Sequence, residues 1–126
     1  MVWRQTDFVI IPNEARVYEH MFRERRPLID EGLKEYRKDG HAMLLDVREE
    51  DEYEEGHVPG SLNLPLSRIT EAGKVLSDKD AKLYVYCRSG ARSAKACMVL
   101  TEMGYHAVNI GGILDYTGEV KTGKER

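Results

Sequence analysis

Among 126 residues there are only two cysteines, Cys87 and Cys97. Two thiols are too few for the disulfide framework of a small secreted domain, and no neighbouring pattern supplies four zinc ligands. If residues 91–102 are helical, as argued below, much of that helix separates the two sulfurs. That span exceeds the Cα separation of ~7 Å that a disulfide can bridge. Long apolar runs are missing too: no stretch approaches the roughly 20 residues that cross a bilayer, and MVWRQTDFVI lacks the apolar segment of a secretory signal. The expectation is a cytoplasmic protein with no membrane contact. There is no basic excess, since 19 Lys and Arg stand against 22 Asp and Glu for a net charge of -3. A nucleic-acid partner is therefore not expected. His20, His41 and His106 are scattered, so neither a metal nor a cofactor is expected, and there is no internal repeat or low-complexity tract.

What is present fits one compact domain: a hydrophobic fraction of 41% with 33% charged residues. Ala42 to Leu45 form a short apolar run ending at Asp46, as expected of a buried strand. Six acids among residues 49–55, with Tyr53 as the inward anchor and Gly56 as terminator, predict a short solvated helix. His57-Val58-Pro59-Gly60 turns the chain into a second short strand over 61–64, which Pro65 stops. Residues 67–76 predict a helix capped by Ser67, weakened by Gly73, that packs Ile69, Val75 and Leu76. Lys82 to Tyr86 read as a strand with Cys87 at its end. From Ala91 a helix follows, with a stripe of Ala94, Cys97, Met98 and Thr101 widened by Ala96, Val99 and Leu100, and Gly104 ends it. Residues 107–110 make a last strand before Gly111-Gly112. Upstream, 8–11 predict an edge strand, with helices over 14–26 and 28–38 separated by Pro27. Short strands alternating with helices imply an α/β fold, a three-layer domain with a central, mostly parallel sheet flanked by helices and a site at the carboxyl ends of its strands.

The chemically distinctive stretch is Tyr86-Cys87-Arg88-Ser89-Gly90-Ala91-Arg92-Ser93, a thiol on a turn between a buried strand and a helix. Successive backbone N–H groups in such a turn curve around one point, and the helix adds the positive end of its dipole. Gly90 closes the turn with positive φ, and Arg88 and Arg92 add charge. Each effect favours thiolate over thiol, making Cys87 a nucleophile. The bland alternative is a small buried hydrophobe, which is how Cys97 reads on its helical stripe.

These residues, together with L-L-D-V-R-E-E-D-E-Y-E-E-G-H-V-P-G-S-L-N-L-P-L (44–66) and N-I-G-G-I-L-D-Y (109–116), resemble the rhodanese-like sulfurtransferases over about residues 28–118. Three separated motifs in order carry the likeness. The resemblance implies a loop running from Cys87 to Arg92, in which Cys87 takes sulfur from a donor such as thiosulfate as a persulfide and gives it to cyanide or a thiol. The N–H groups of residues 88–92, which include Ser89, Gly90 and Ala91, would hold the anionic donor. Arg88 would position it and Arg92 would anchor the turn through a carboxylate or backbone bonds, or the two would exchange roles. Asp46 and Arg48 match the family's D-V-R element beside the loop, Asp46 acting as a cap or as partner of a loop arginine. His57 matches the G-H-V-P-G segment, as a structural hydrogen bonder or a base.

The chain divides into an extension over 1–27 that packs on or beside the domain, the domain proper over 28–118, and a flexible tail over 119–126. Within the extension Val17, Met21 and Phe22 form a small apolar face, and Trp3 and Phe8 read as core-edge anchors. Two other functions remain open. A cysteine phosphatase or arsenate reductase also cradles an anion around a thiolate, but needs an arginine six positions after the cysteine, where Ser93 stands. A non-catalytic rhodanese-like binding module would use the fold without the reactive thiol. The physiological donor and acceptor, a protein acting as either, and the oligomeric state are not legible in the sequence.

Overall fold

The computed structural model describes residues 28–124. The strand predicted at 8–11, the helix at 14–26, and Trp3, Phe8 and His20 lie outside the described residues. Four strands, β1 (Met43–Asp46), β2 (Leu62–Asn63), β3 (Lys82–Cys87) and β4 (His106–Gly112), form a parallel sheet in the order β2-β1-β3-β4. Parallel neighbours require crossovers, and helices supply them. These are α2 (Glu50–Glu55), α3 (Ala72–Val75) and α4 (Ala91–Glu102), while α1 (Leu28–Lys38) precedes the sheet.

Alternation along the strands explains the three layers. On one face Leu44, Tyr84, Tyr86 and Ile110 pack against Ile29 and Leu33 of α1. On the other, Leu45, Leu83, Val85 and Cys87 pack against Ala96 and Leu100 of α4 and against Ile69, Ala72 and Leu76. A sheet covered on both faces buries nearly every residue of its central strands, and all of β3 from Leu83 to Cys87 is buried. At Gly32 a Cβ would stand 2.3 Å from Ile110 Cγ2, so only glycine lets α1 lie this close to β4. Asp30 and Glu31 in its first turn and Arg37 and Lys38 in its last complement the helix dipole.

Three expectations need correction. The inward side of α4 is Ser93, Ala96 and Leu100, whereas Met98 is 67% exposed and Ala94 and Thr101 face solvent. A polar residue at the head of the buried stripe disguised its phase. Residues 66–75 are not one helix: a 3-10 turn over Leu66–Glu71 is broken by a non-helical Arg68 and followed by α3, with no side-chain cap from Ser67. Ile69, Ala72 and Leu76, spaced three and four apart, take the core face and leave Val75 52% exposed. Strand β4 runs on through Gly111 and Gly112, with a register shift opposite Val85 and Tyr86 where Ile110 is the extra residue. In the tail, Lys121 and His57 exchange main-chain hydrogen bonds and Gly123 N–H donates to the Glu54 carbonyl. Among the described residues no helix is long and apolar enough to cross a membrane.

Two glycines give opposite predictions. A Cβ on Gly112 would fall 2.1 Å from the Arg88 carbonyl oxygen and 2.5 Å from Ser89 Cα, backbone atoms that cannot yield without moving the loop. Gly112→Ala is expected to cost more than about 2 kcal/mol. A Cβ on Gly73, inside α3, would meet nothing within 4 Å. Gly73→Ala is expected to stabilise by about 0.5–1 kcal/mol, because alanine restricts the unfolded chain and suits the helix. Urea unfolding of both variants checks the pair.

Candidate active site

Strand β3 ends at Cys87, and its side chain follows Leu83 and Val85 onto the α4 face. The chain then needs three residues to turn into α4, and Gly90 makes this possible with φ +109, a conformation that side chains disfavour. The result wraps main chain around the sulfur. Gly90 N–H donates to Cys87 Sγ at 3.0 Å and Ser93 N–H at 3.4 Å, and Ser93 Oγ lies 3.4 Å from the same atom. Burial works to raise the thiol pKa, but the Ser93 hydroxyl and the amides of Ser93, Gly90 and Ser89 outweigh it and bring it below the ordinary value. The α4 N-terminus points the same way, since its dipole favours negative charge there.

Solvent reaches only 1% of Cys87, less than expected of an accessible nucleophile. The residues that follow it on the loop, Arg88, Ser89 and Ala91, are themselves exposed. A groove of about 660 Å³ lies elsewhere, lined by residues that include Tyr53, Glu54, Leu62 and Lys121 and exclude Cys87. The chemistry of the thiol belongs to the loop, where the converging donors are, and not to this larger space.

Arg88 and Arg92 have separate surroundings. Arg92 reaches back to α2, where Nη1 and the other terminal nitrogen bond Glu52 Oε1 at 2.8 Å and Oε2 at 3.0 Å. This two-pronged bond holds the Glu52 carboxyl at about 2. The side chain of Arg88 is exposed and enters no ion pair among the described residues, while its carbonyl accepts Leu114 N–H at 3.1 Å. Gly90 and Ser93 make the hydrogen bonds to sulfur and the Ser89 amide also favours its charged form, whereas among the described residues the amides of Arg88, Ala91 and Arg92 make no bond to Sγ. Ser93, one residue past the expected loop, is the member that sequence reasoning missed. Its position six residues after the cysteine, at the head of α4, was the available signal.

Asp46 does not pair with a loop arginine. Its carboxylate, fully buried, accepts from Arg48 Nε at 3.1 Å on both oxygens and from Nη2 at 2.8 Å, and Oδ1 also accepts the Arg48 backbone N–H at 2.9 Å. Arg48 Nη2 donates to the Gly56 carbonyl at 2.7 Å, and Asn63 Nδ2 bonds the carbonyls of both Asp46 and Arg48. Burial works against the Arg48 charge, yet its bonds to Asp46 raise its pKa. The pair fastens the end of β1 to the end of α2 and to β2. His57 is fully buried with its ring stacked on Tyr53 at 3.7 Å, and Nδ1 lies 2.7 Å from the Tyr53 carbonyl. Tyr53 Oη in turn donates to the Ser61 carbonyl. These contacts belong to the frame around α2.

The profile of the Rhodanese-like domain family matches residues 30–119. Over 92 residues the chain is 41% identical to a Schizosaccharomyces pombe protein named "Putative thiosulfate sulfurtransferase, mitochondrial", covering 64% of this chain and 61% of that one. It is 39% identical over 84 residues to "Putative sulfurtransferase YtwF" of Bacillus subtilis, covering 66% of this chain and 81% of the relative. The chain thus spans about three fifths of the fission-yeast relative and four fifths of the bacterial one. A solved structure titled "rhodanese with anions from E. coli" superposes with a TM-score of 0.60 at 36% identity, covering 65% of this chain and 99% of that one.

Two ion pairs yield separable predictions. Breaking the buried pair by Arg48→Met leaves the Asp46 carboxylate without its partner and is expected to cost about 3–5 kcal/mol in urea unfolding. The Glu52–Arg92 pair is partly exposed, so after solvent screening Glu52→Gln is expected to cost only about 0.5–1 kcal/mol. The Glu52 carboxyl is depressed in the folded state, so its contribution is present above the unfolded value of about 4.3. It is lost as the pH falls toward the folded value of about 2. The stability difference between wild type and Glu52→Gln should be full at neutral pH and vanish near the acid end.

Proposed function

The chain belongs to the rhodanese-like domain family, and from that premise we propose that it is a sulfurtransferase whose Cys87 carries a sulfane sulfur as a persulfide. The observation that carries this reading is the convergence of the Gly90 and Ser93 amides on Cys87 Sγ at the head of α4. Residues 28–118 form the sulfur-handling unit. In the first half-reaction the Cys87 thiolate attacks the outer sulfur of thiosulfate. A Cys–S bond to the outer sulfur forms, the S–S bond of thiosulfate breaks, and its electron pair leaves with sulfite. In the second half-reaction cyanide or a thiolate takes the outer sulfur of the persulfide, and the Cys87 thiolate is regenerated. No external oxidant or reductant enters. Loop N–H groups stabilise negative charge on sulfur in both halves, and Arg88, unpaired among the described residues, draws in the anionic donor. Asp46, Arg48 and His57 support the frame and touch no reacting atom in this scheme.

The phosphatase reading loses support at Arg92. A phosphoryl clamp needs a guanidinium fork turned toward the thiol, and both terminal nitrogens of Arg92 are engaged by Glu52. A non-catalytic module would have no use for donors that lower the thiol pKa.

Mass spectrometry tests the proposal. After incubation with thiosulfate the protein is expected to gain about 32 Da, and cyanide is expected to discharge the gain as thiocyanate. Cys87→Ser should abolish the gain and Cys97→Ser should retain it. Phosphate release from an aryl phosphate without sulfur loading would favour the phosphatase, and the absence of both reactions would favour the binding module.

A further inference from the structure

The Ser93 hydroxyl carries one hydrogen and faces four acceptors. These are Asn109 Oδ1 at 2.7 Å, the Gly90 carbonyl at 3.1 Å, Cys87 Sγ at 3.4 Å and the Gly111 carbonyl at 3.5 Å. The orientation of the Asn109 amide is fixed by its other partners. Gly111 N–H donates to Oδ1 at 2.9 Å, which only an oxygen can accept, and Nδ2 donates to the Gly90 carbonyl at 3.1 Å. Oδ1 cannot donate, so at 2.7 Å the Ser93 hydrogen must lie on the line to Asn109. Its lone pairs are then left toward Cys87.

Held in this way, the hydroxyl can accept an S–H from a neutral thiol but gives a thiolate nothing, and only the Gly90 and Ser93 amides then favour the charged sulfur. The hydroxyl adds its own hydrogen bond to a thiolate only by rotating away from Asn109. We propose that Asn109 is a positioning residue that competes with the Cys87 sulfur for the single hydrogen of Ser93, and so sets how readily this thiol ionises. Asn109 never touches the sulfur. It acts through Ser93, and its contacts to Gly90 and Gly111 hold the loop in the shape that makes the competition possible.

The charged groups around the thiol do not explain the same effect. Arg92 of α4 interacts with Cys87 and has Glu52 and Glu49 behind it, Arg88 lies in the loop, and Asp46 and Arg48 are bonded to each other at the end of β1. Strand β4 from Ala107 to Gly112 carries no titratable side chain. None of these charged side chains is hydrogen-bonded to Ser93 or Asn109 among the described residues.

The consequence for sulfur transfer rests on the function proposed above, but the test does not, because it reads the thiol without any sulfur donor. The measurement is the rate of Cys87 alkylation by iodoacetamide as a function of pH, in a Cys97→Ser background. Circular dichroism and thermal unfolding report whether each variant is folded. Asn109→Ala removes the competing acceptor, so alkylation well below the midpoint is expected to run about fivefold faster, the value of one hydrogen bond. Ser93→Ala removes the donor and is expected to slow it by a similar factor. In the Ser93→Ala background Asn109→Ala is expected to change nothing, because there is no longer a hydrogen to compete for. Asn109→Ser, which is smaller but keeps a polar atom near Gly111, repeats the test if Asn109→Ala does not fold. A midpoint that rises or stays fixed in the Asn109 variant overturns the proposal. So does an equal shift with and without Ser93, which is what a purely structural role in holding the loop would give. Failure of thiosulfate loading with the alkylation pattern intact would count against the sulfurtransferase reading alone.

Discussion

Where the loop after β3 passes over the last strand, backbone rests on backbone. Gly112 has no room for even one carbon between itself and the Arg88 carbonyl. This contact fixes the height of the loop over the sheet. The Leu114 N–H bond to that same carbonyl fixes its position along the strand. Only with the loop seated this low do the Gly90 and Ser93 amides fall within reach of the Cys87 sulfur. The same closeness leaves the thiol nearly sealed from solvent. Convergence of donors and restricted access are therefore two outcomes of one steric constraint.

A second frame stands on the other side of the site. The Asp46–Arg48 pair joins the end of β1 to the Gly56 carbonyl at the end of α2, and the Tyr53–His57 stack continues that frame to the tail at Lys121. Helix α2 has only six residues and would be marginal alone. Held in this way, it presents Glu52 to Arg92 at the start of α4. The acidic run 49–55 thus has two destinations. Most of it is solvated, and one member anchors the turn that carries the thiol.

Much of this was legible in the sequence because it is local. The apolar run before Asp46, the β-branched and aromatic stretch before Cys87 and the helix starting at Ala91 are set by alternation, propensity and a glycine stop, which a short window contains. The thiol on a strand-to-helix turn followed from the same reading. What escaped depends on where side chains point. Asp46 and Arg48 stand only two residues apart, yet adjacency alone does not say that the carboxylate turns to Arg48 and not to a loop arginine. Glu52 and Arg92 are hidden differently, by the 40 residues between them. Ser93 was missed because a serine at the head of an apolar stripe reads as surface, whereas here the sulfur and Asn109 make burial of its hydroxyl tolerable. The kink at Arg68 likewise reflects the demand that Ile69, Ala72 and Leu76 meet the core together.

The shortness of β2 matters beyond the site. Among the described residues this strand lies at one margin of the sheet, has two residues and is stopped by Pro65 two positions later. An outermost strand normally offers a row of unused main-chain donors and acceptors on which another molecule can extend the sheet. Here that row is too brief to template such growth, although Leu62 is 39% exposed beside it. So short a margin offers little for edge-to-edge pairing with a second molecule.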